Sequence, residues 1–366
     1  MTGTLSNSTF DQQPVIHFLL LCVSPQSSDQ TSQQMQTLST KSLDWQSLIE
    51  LARKHRVLAL LHRRLEAVFL DSIPKSLFSE LHSYCHRVSI RNLFMTAELS
   101  KLLSLMNSKG IDAMPYKGPV LSESLYCNLH LRQFGDLDIV IQPQDMPAVE
   151  QLLSAEGYQP YFGSKTAAEL ESYMADKSQH TYDFYHEKKQ IFIEVHWRFW
   201  PVFFSSVHPQ DIWHRREQMS FAGKTVSTLR PEDQLIILCM HGSRHRWERL
   251  SWLCDIAMLL EKYPELNWDE VSAIAREWGA QRMLYLGLYL AHTLLSANFP
   301  ESVSQKIKAD SAIVQLAQKV NEQLFSSNLP KRFLASTRYQ IQVRERWQDK
   351  ALCAQALIRW LLRGCP

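Results

Sequence analysis

The spacing of apolar residues changes period twice along this chain. From Trp45 onward, Leu48, Leu51, Ala52 and Val57 fall at helical intervals. Helical periodicity continues over roughly 75–108, and Gly110 follows as a C-cap. Ahead of this region, the apolar run Val15 to Val23 predicts a core helix, and the Ser/Thr/Gln-rich tract Ser24 to Lys41 a loose loop. From Ile111 the pattern shortens to a short strand, a tight glycine turn at Gly118 and a helix from Val120 to Tyr126. A strand follows from Asp136, then a helix near 145–156 that stops at Gly157. Thr181 to His186 and Gln190 to Trp197 flank Glu187-Lys-Lys-Gln and predict a hairpin. A second hairpin is expected over Met219 to Leu229, turning at Ala222-Gly223-Lys224. After Arg230-Pro231 the helical period returns, with Glu232 and Asp233 favouring a helix start, and further helices near 268–278, 280–296, 301–325 and 348–363. The expected fold is α+β: a small mixed β-sheet core with helical regions on both sides. The divisions are 1–42 (helix and polar loop), 43–110 (helical), 111–230 (α/β core) and 231–366 (helical).

Bulk properties narrow the class. The chain has 366 residues, 45% hydrophobic and 21% charged, with a net charge of +2. That length can bury a sizeable core, and the near-neutral balance gives no electrostatic argument for bulk nucleic-acid binding. The Arg-rich stretches His241 to Arg249 and Lys331 to Arg346 read most simply as solvated faces. Seven scattered cysteines without a C-x-x-C pair argue against a disulfide framework or a zinc ribbon. Val15 to Val23 is too short to span a bilayer and has no basic segment before it. The last helix, with Arg359 and Arg363, is too short and charged for a span. A cytoplasmic protein with no membrane partner is expected.

The candidate chemistry centres on Arg132-Gln-Phe-Gly-Asp136-Leu-Asp138-Ile-Val-Ile. On a strand, side chains at i and i+2 leave the same face, so Asp136 and Asp138 point together. Paired carboxylates repel unless a cation sits between them, and Mg2+ is held by such groups together with substrate phosphates. D-x-D alone also fits a strand whose solvent face begins with acids. Its context adds to it. Gly118 would let backbone N–H groups approach an anion at a helix N-terminus, with Lys117 beside it. Downstream, the alternation of Gln190 to Trp197 sets Glu194 and His196 on one face. Glu194 on a neighbouring strand would complete a metal site of the kind used in nucleotidyl transfer.

In this order the strand, glycine turn, helix, D-x-D and third carboxylate resemble the nucleotidyltransferase superfamily built on the DNA polymerase β-like palm. More narrowly, Tyr116-Lys-Gly-Pro-Val-Leu-Ser-Glu-Ser-Leu-Tyr126, then Arg132, then Asp136-Leu-Asp138 is similar to a poorly characterised nucleotidyltransferase branch with Lys-Gly at the turn. The resemblance runs from about Leu43 to about Leu260. It implies that Asp136, Asp138 and Glu194 are catalytic and hold Mg2+, or Mn2+, against an NTP. It implies that Lys117 and Gly118 grip the phosphates and that Arg132 offsets charge on them. The acceptor would be a small molecule, a sugar or a protein, with nucleic acid disfavoured. The family turn usually carries a small residue and serine where Lys117-Gly118 stands, so two alternatives stay open. One is a donor of the sugar-phosphate type; the other is a non-catalytic nucleotide- or partner-binding module on this scaffold.

Downstream, His241-Gly-Ser-Arg244-His245 places His241 and His245 four apart. A metalloprotease helix would need H-E-x-x-H, and Gly242 stands where its Glu would be. The stretch is either a polar helix face or a wall of the cleft at which His241, Arg244 or His245 touches phosphate or acceptor. His196 is either a core histidine or a second-layer partner of the metal or acceptor. Asp255 is expected to orient a histidine or arginine.

Overall fold

The computed structural model describes residues 13–26, 28–40, 43–68, 73–205, 207, 209–326 and 333–362. Helices α1 (Pro14–Val23), α2 (Asp29–Thr40), α3 (Trp45–Lys54), α4 (Leu58–Val68) and the long α5 (Lys75–Ser108) come first. The mixed section follows: β1 (Ala113–Pro115), α6 (Gly118–Tyr126), β2 (Asp136–Ile141), α7 (Met146–Ala155), β3 (Gln159–Pro160), α8 (Ala167–Ala175), β4 (Thr181–His186) and β5 (Ile191–His196). Next come α9 (Pro209–Arg215) and a hairpin of β6 (Glu217–Phe221) and β7 (Lys224–Thr228). The chain then runs through α10 (Pro231–Arg244), α11 (Leu250–Lys262), α12 (Trp268–Glu277), α13 (Gln281–Leu295), α14 (Glu301–Ala309), α15 (Ser311–Leu324), α16 (Phe333–Gln342) and α17 (Trp347–Leu362).

The five-stranded sheet has the order β1-β2-β5-β4-β3. Its central pair, β2 and β5, is parallel, and the other pairs are antiparallel. A parallel pair needs a long crossover, and the segment carrying α7 and α8 supplies it. Leu137, Ile139 and Ile141 of β2, with Ile191, Ile193 and Val195 of β5, fill one face of the sheet. There they join Leu99 and Leu102 of α5 and Val149 and Leu153 of α7 in one apolar cluster. On the other face, Val140 belongs to a second cluster with Tyr116 and Phe199. Beyond Asp138 this strand is therefore apolar on both sides, as a central strand with parallel pairing reads.

That second cluster joins the two ends of the chain. It holds residues of α1, α3 and α4 together with α10, α11 and α13. Ser24, just after α1, donates its hydroxyl to the Leu295 carbonyl at the end of α13 (2.8 Å). The tract expected to be a loose loop is helical over Asp29–Thr40, while Lys41 lies outside the described residues. Ser28 accepts the Thr31 N–H (3.1 Å), Asp29 favours the first turn, and Met35 is buried. So few apolar anchors in a polar tract leave no readable period. The single helix expected over 301–325 is two, broken at Asp310, whose carboxylate accepts from the Ala312 N–H (3.1 Å). Among the described residues all six cysteines are free, and no helix is long and apolar enough to cross a membrane. Cys365 and Arg363 lie outside the described residues.

Candidate active site

The register of the central strands builds a row of acids. Asp138 of β2 lies beside Glu194 of β5, and Glu194 lies beside Asp183 of β4. Asp136 precedes Asp138 on the same face, and His196 follows Glu194 on the same face. All five line one cavity of about 420 Å³. The same cavity is lined by Lys117, Gly118, Arg132, His241, Arg244 and His245. Every site residue expected from the sequence therefore meets at one place. A wider hollow of about 840 Å³ beside α7 and α8 carries none of these groups.

Lys117 is not a mobile surface cation. Its side chain is only 12% exposed, and Nζ donates to Asp138 Oδ1 at 3.0 Å while lying 4.7 Å from the Tyr116 ring centre. His196 Nε2 lies 3.2 Å from the same Asp138 oxygen and 3.5 Å from Glu194 Oε2. Although burial opposes its charge, Asp138 is held well below the usual carboxylate range by Lys117 and His196. Against the same burial cost, Asp138 raises the pKa of Lys117, and hydrogen bonds to Asp138 and Glu194 raise that of His196. Asp136 behaves in the opposite way: burial and the charge of Asp138 push it up to about 6. Burial also pushes up Asp183, and its Oδ1 is enclosed without a hydrogen-bond partner.

The carboxylates of this site suit a hard divalent cation, with the His196 imidazole beside them. Ligand atoms of Asp138, Glu194 and His196 all lie within 4.8 Å of one another. Asp136, pushed up by burial and by the charge of Asp138, and the unpartnered Asp183 oxygen line the same cavity. Mutual repulsion of carboxylates is what a bound cation relieves.

The glycine turn is braced from beneath. Gly118 has φ +54°, and a Cβ there would sit 3.2 Å from the Asp136 carbonyl oxygen, so glycine permits the turn to rest against the start of β2. Arg132 places Nε and one terminal nitrogen on Asp255 (2.9–3.1 Å) and the other terminal nitrogen on the Gly118 carbonyl (3.3 Å). Its guanidinium thus braces the turn from the cavity lining. Asp255, fully buried on α11, also accepts from Tyr126 Oη at 2.9 Å. The arginine that Asp255 orients is Arg132, not one from the His241 to Arg249 stretch. Asn92 on α5 adds a second brace, donating to the carbonyls of Leu129 (2.6 Å) and Arg132 (2.9 Å).

Further lining of the cavity comes from α10 and the bend after it. The His241 and His245 rings lie 4.7 Å apart, and both contact Trp252. Burial pushes both pKa values down, that of His245 to about 4, so both are neutral near pH 7. Arg244 lies 3.0 Å from His180 Nε2 and over the Trp200 ring. The helix ends here because Arg246 and Trp247 adopt left-handed φ values of 54° and 57°. Trp247 folds back onto Gly242, where any Cβ would come within 2.2 Å of its ring. Gly242 is thus a packing requirement of this lining.

With this geometry in place, the family is decided by a family model described as an uncharacterised nucleotidyltransferase, which matches residues 41–296. The chain belongs to this nucleotidyltransferase family. No curated protein and no solved structure matches it. The match spans the helices from α3 to α13 as well as the sheet. Asp183, His180, Asn92 and Arg56 escaped the sequence reading, although Asp183, His180 and Arg56 line the cavity of this nucleotidyltransferase. The alternation Thr181-Tyr-Asp183-Phe marks a face for Asp183, but no local pattern identifies the strand neighbour that sets it beside Glu194.

Proposed function

We propose that this protein is a Mg2+-dependent nucleotidyltransferase that moves a nucleoside monophosphate from an NTP to a hydroxyl-bearing acceptor. The observation that carries the reading is the acid row Asp138–Glu194 with Asp136 beside it, on the floor of a cavity whose rim holds Arg56, Arg244 and Arg249. A floor that takes a cation and a cationic rim together suit a metal-bound polyphosphate. Asp136 and Asp138 would hold Mg2+, with Glu194 and His196 beside them. When bound, Mg2+ supplies charge neutralisation on the phosphate oxygens and orientation of the leaving group.

The protein's own groups do the rest. The acceptor hydroxyl oxygen bonds to the α-phosphorus, the α–β P–O bond breaks, and pyrophosphate leaves with the electron pair. Glu194, whose side chain is 38% exposed, receives the hydroxyl proton. Rim arginines bind the phosphates, and Arg132 acts as a positioning residue through the Gly118 turn. The aromatic wall of Trp200, His241 and Trp252 excludes water from one side of the acceptor.

One contact favours a second reading. Lys117 already sits on Asp138 as an internal cation, which suits a module that binds nucleotide without transferring it. Calorimetry with each of the four NTPs, with and without Mg2+, tests both. Mg2+-dependent binding that Asp136→Ala/Asp138→Ala loses supports the transferase, and Mg2+-independent binding supports the second reading. No binding of any NTP overturns both.

A further inference from the structure

A second ligand cluster lies away from the cleft, between α4 and α5. His62 and Glu66 stand one helical turn apart on α4, with His62 Nδ1 3.4 Å from Glu66 Oε2. His82 on α5 faces them, its ring centre 5.4 Å from that of His62. Ligand atoms of all three residues lie within 4.8 Å of one another. The His62 ring is held in place by Phe78, one turn before His82, which stacks on it at 5.4 Å and 22°.

We propose that His62, Glu66 and His82 bind a borderline transition-metal ion of the Zn2+ class, stapling α4 to α5. Two imidazoles and one carboxylate form a donor set that Zn2+ accepts with a water in the fourth position, whereas Mg2+ prefers oxygen donors alone. Tetrahedral Zn2+ with bonds near 2.0–2.1 Å spaces its ligand atoms by about 3.3 Å. The His62–Glu66 separation already matches this spacing. Glu66 and His82 are exposed, so side-chain rotation can close the remaining distance. His62 is buried, and that burial lowers its pKa toward the neutral form that ligates metal. The site differs in metal class from the carboxylate-rich cleft, and it bears on it. Its staple fixes the helix whose Asn92 braces the loop leading to Arg132.

Zn2+ titration of the full-length protein by calorimetry tests this, using wild type, Glu66→Gln, His82→Ala and the cleft variant Asp138→Asn. Glu66 and His82 are exposed, so both variants should keep the wild-type circular dichroism and the wild-type melting curve in EDTA. The expected result is a Zn2+ site in wild type and in Asp138→Asn that Glu66→Gln and His82→Ala each weaken about tenfold or more. Zn2+ should also raise the melting temperature of wild type more than that of His82→Ala. The proposal is overturned if wild type binds no Zn2+, or if both surface variants bind it as tightly as wild type. It is also overturned if Asp138→Asn alone removes the site.

Discussion

Among single residues, the clearest division is between the two aspartates of the D-x-D pair. Asp138 has Lys117 and His196 on one oxygen, while Asp136 is raised to about 6 by burial and by its neighbour. A folded-state value above the unfolded 3.8 means the native state binds this proton more tightly, so stability falls as pH rises from about 4 to about 6. A shift of about two units corresponds to a contribution on the order of 3 kcal/mol. Without divalent ions, Asp136→Asn should therefore gain on wild type between pH 4 and pH 7, read from urea midpoints. An unchanged gap across that range would show that Asp136 carries no such cost. Asp255 predicts the opposite effect. Replacing it with Asn strips Arg132 of a buried partner and should cost about 3–5 kcal/mol at pH 7, seen as a lower denaturation midpoint with the same slope.

Among the elements, the glycine turn and β2 form one unit. Gly118→Ala puts a Cβ into left-handed backbone and against the Asp136 carbonyl. A loss of about 1–2 kcal/mol should follow. NTP affinity should weaken in the same variant, because the turn bears on the start of the D-x-D strand. Full retention of both stability and affinity would mean that turn and strand are uncoupled. Much of this element pattern was legible beforehand. The β4–β5 hairpin carries period-two alternation, and the D-x-D strand is an apolar run that follows two acids, signals contained in a few adjacent residues. Helix α2 was not legible, because its stability comes from a Ser28 cap and from burying Met35 rather than from an apolar stripe. Arg132 was visible as a candidate, but its partner Asp255 is 123 residues away, so its bracing role was not.

Across the whole molecule, the helices from both ends of the chain share one core; His55 is buried, His180 and His241 are half-buried, and His245 is exposed at the cavity. Burial pushes His55 and His245 down to about 4 and also lowers His180 and His241. Each folded-state value lies below the unfolded 6.5, so their contribution is complete above pH 6.5 and is lost as pH falls toward 4. These four histidines outnumber Asp136 and Asp183, whose raised values act the opposite way in the same window. Melting temperature should therefore drop steadily from pH 7 to pH 4.5, and His55→Asn should flatten part of that drop. A melting temperature constant over that range would contradict the assignment.

The sequence by itself determined the α+β class, the strand–turn–helix start of the core and the shared face of Asp136 and Asp138, because these follow from local periodicity and backbone preference. It also supplied the residue types for the cavity, down to His241 and Arg244 on the distant helix α10. Only the tertiary structure decided which of them touch. The parallel β2–β5 register set Asp138 beside Glu194, and packing placed Lys117 on Asp138 and Arg132 on Asp255. Strand order and helix docking depend on the fit of surfaces far apart in the chain, and no local pattern encodes that fit.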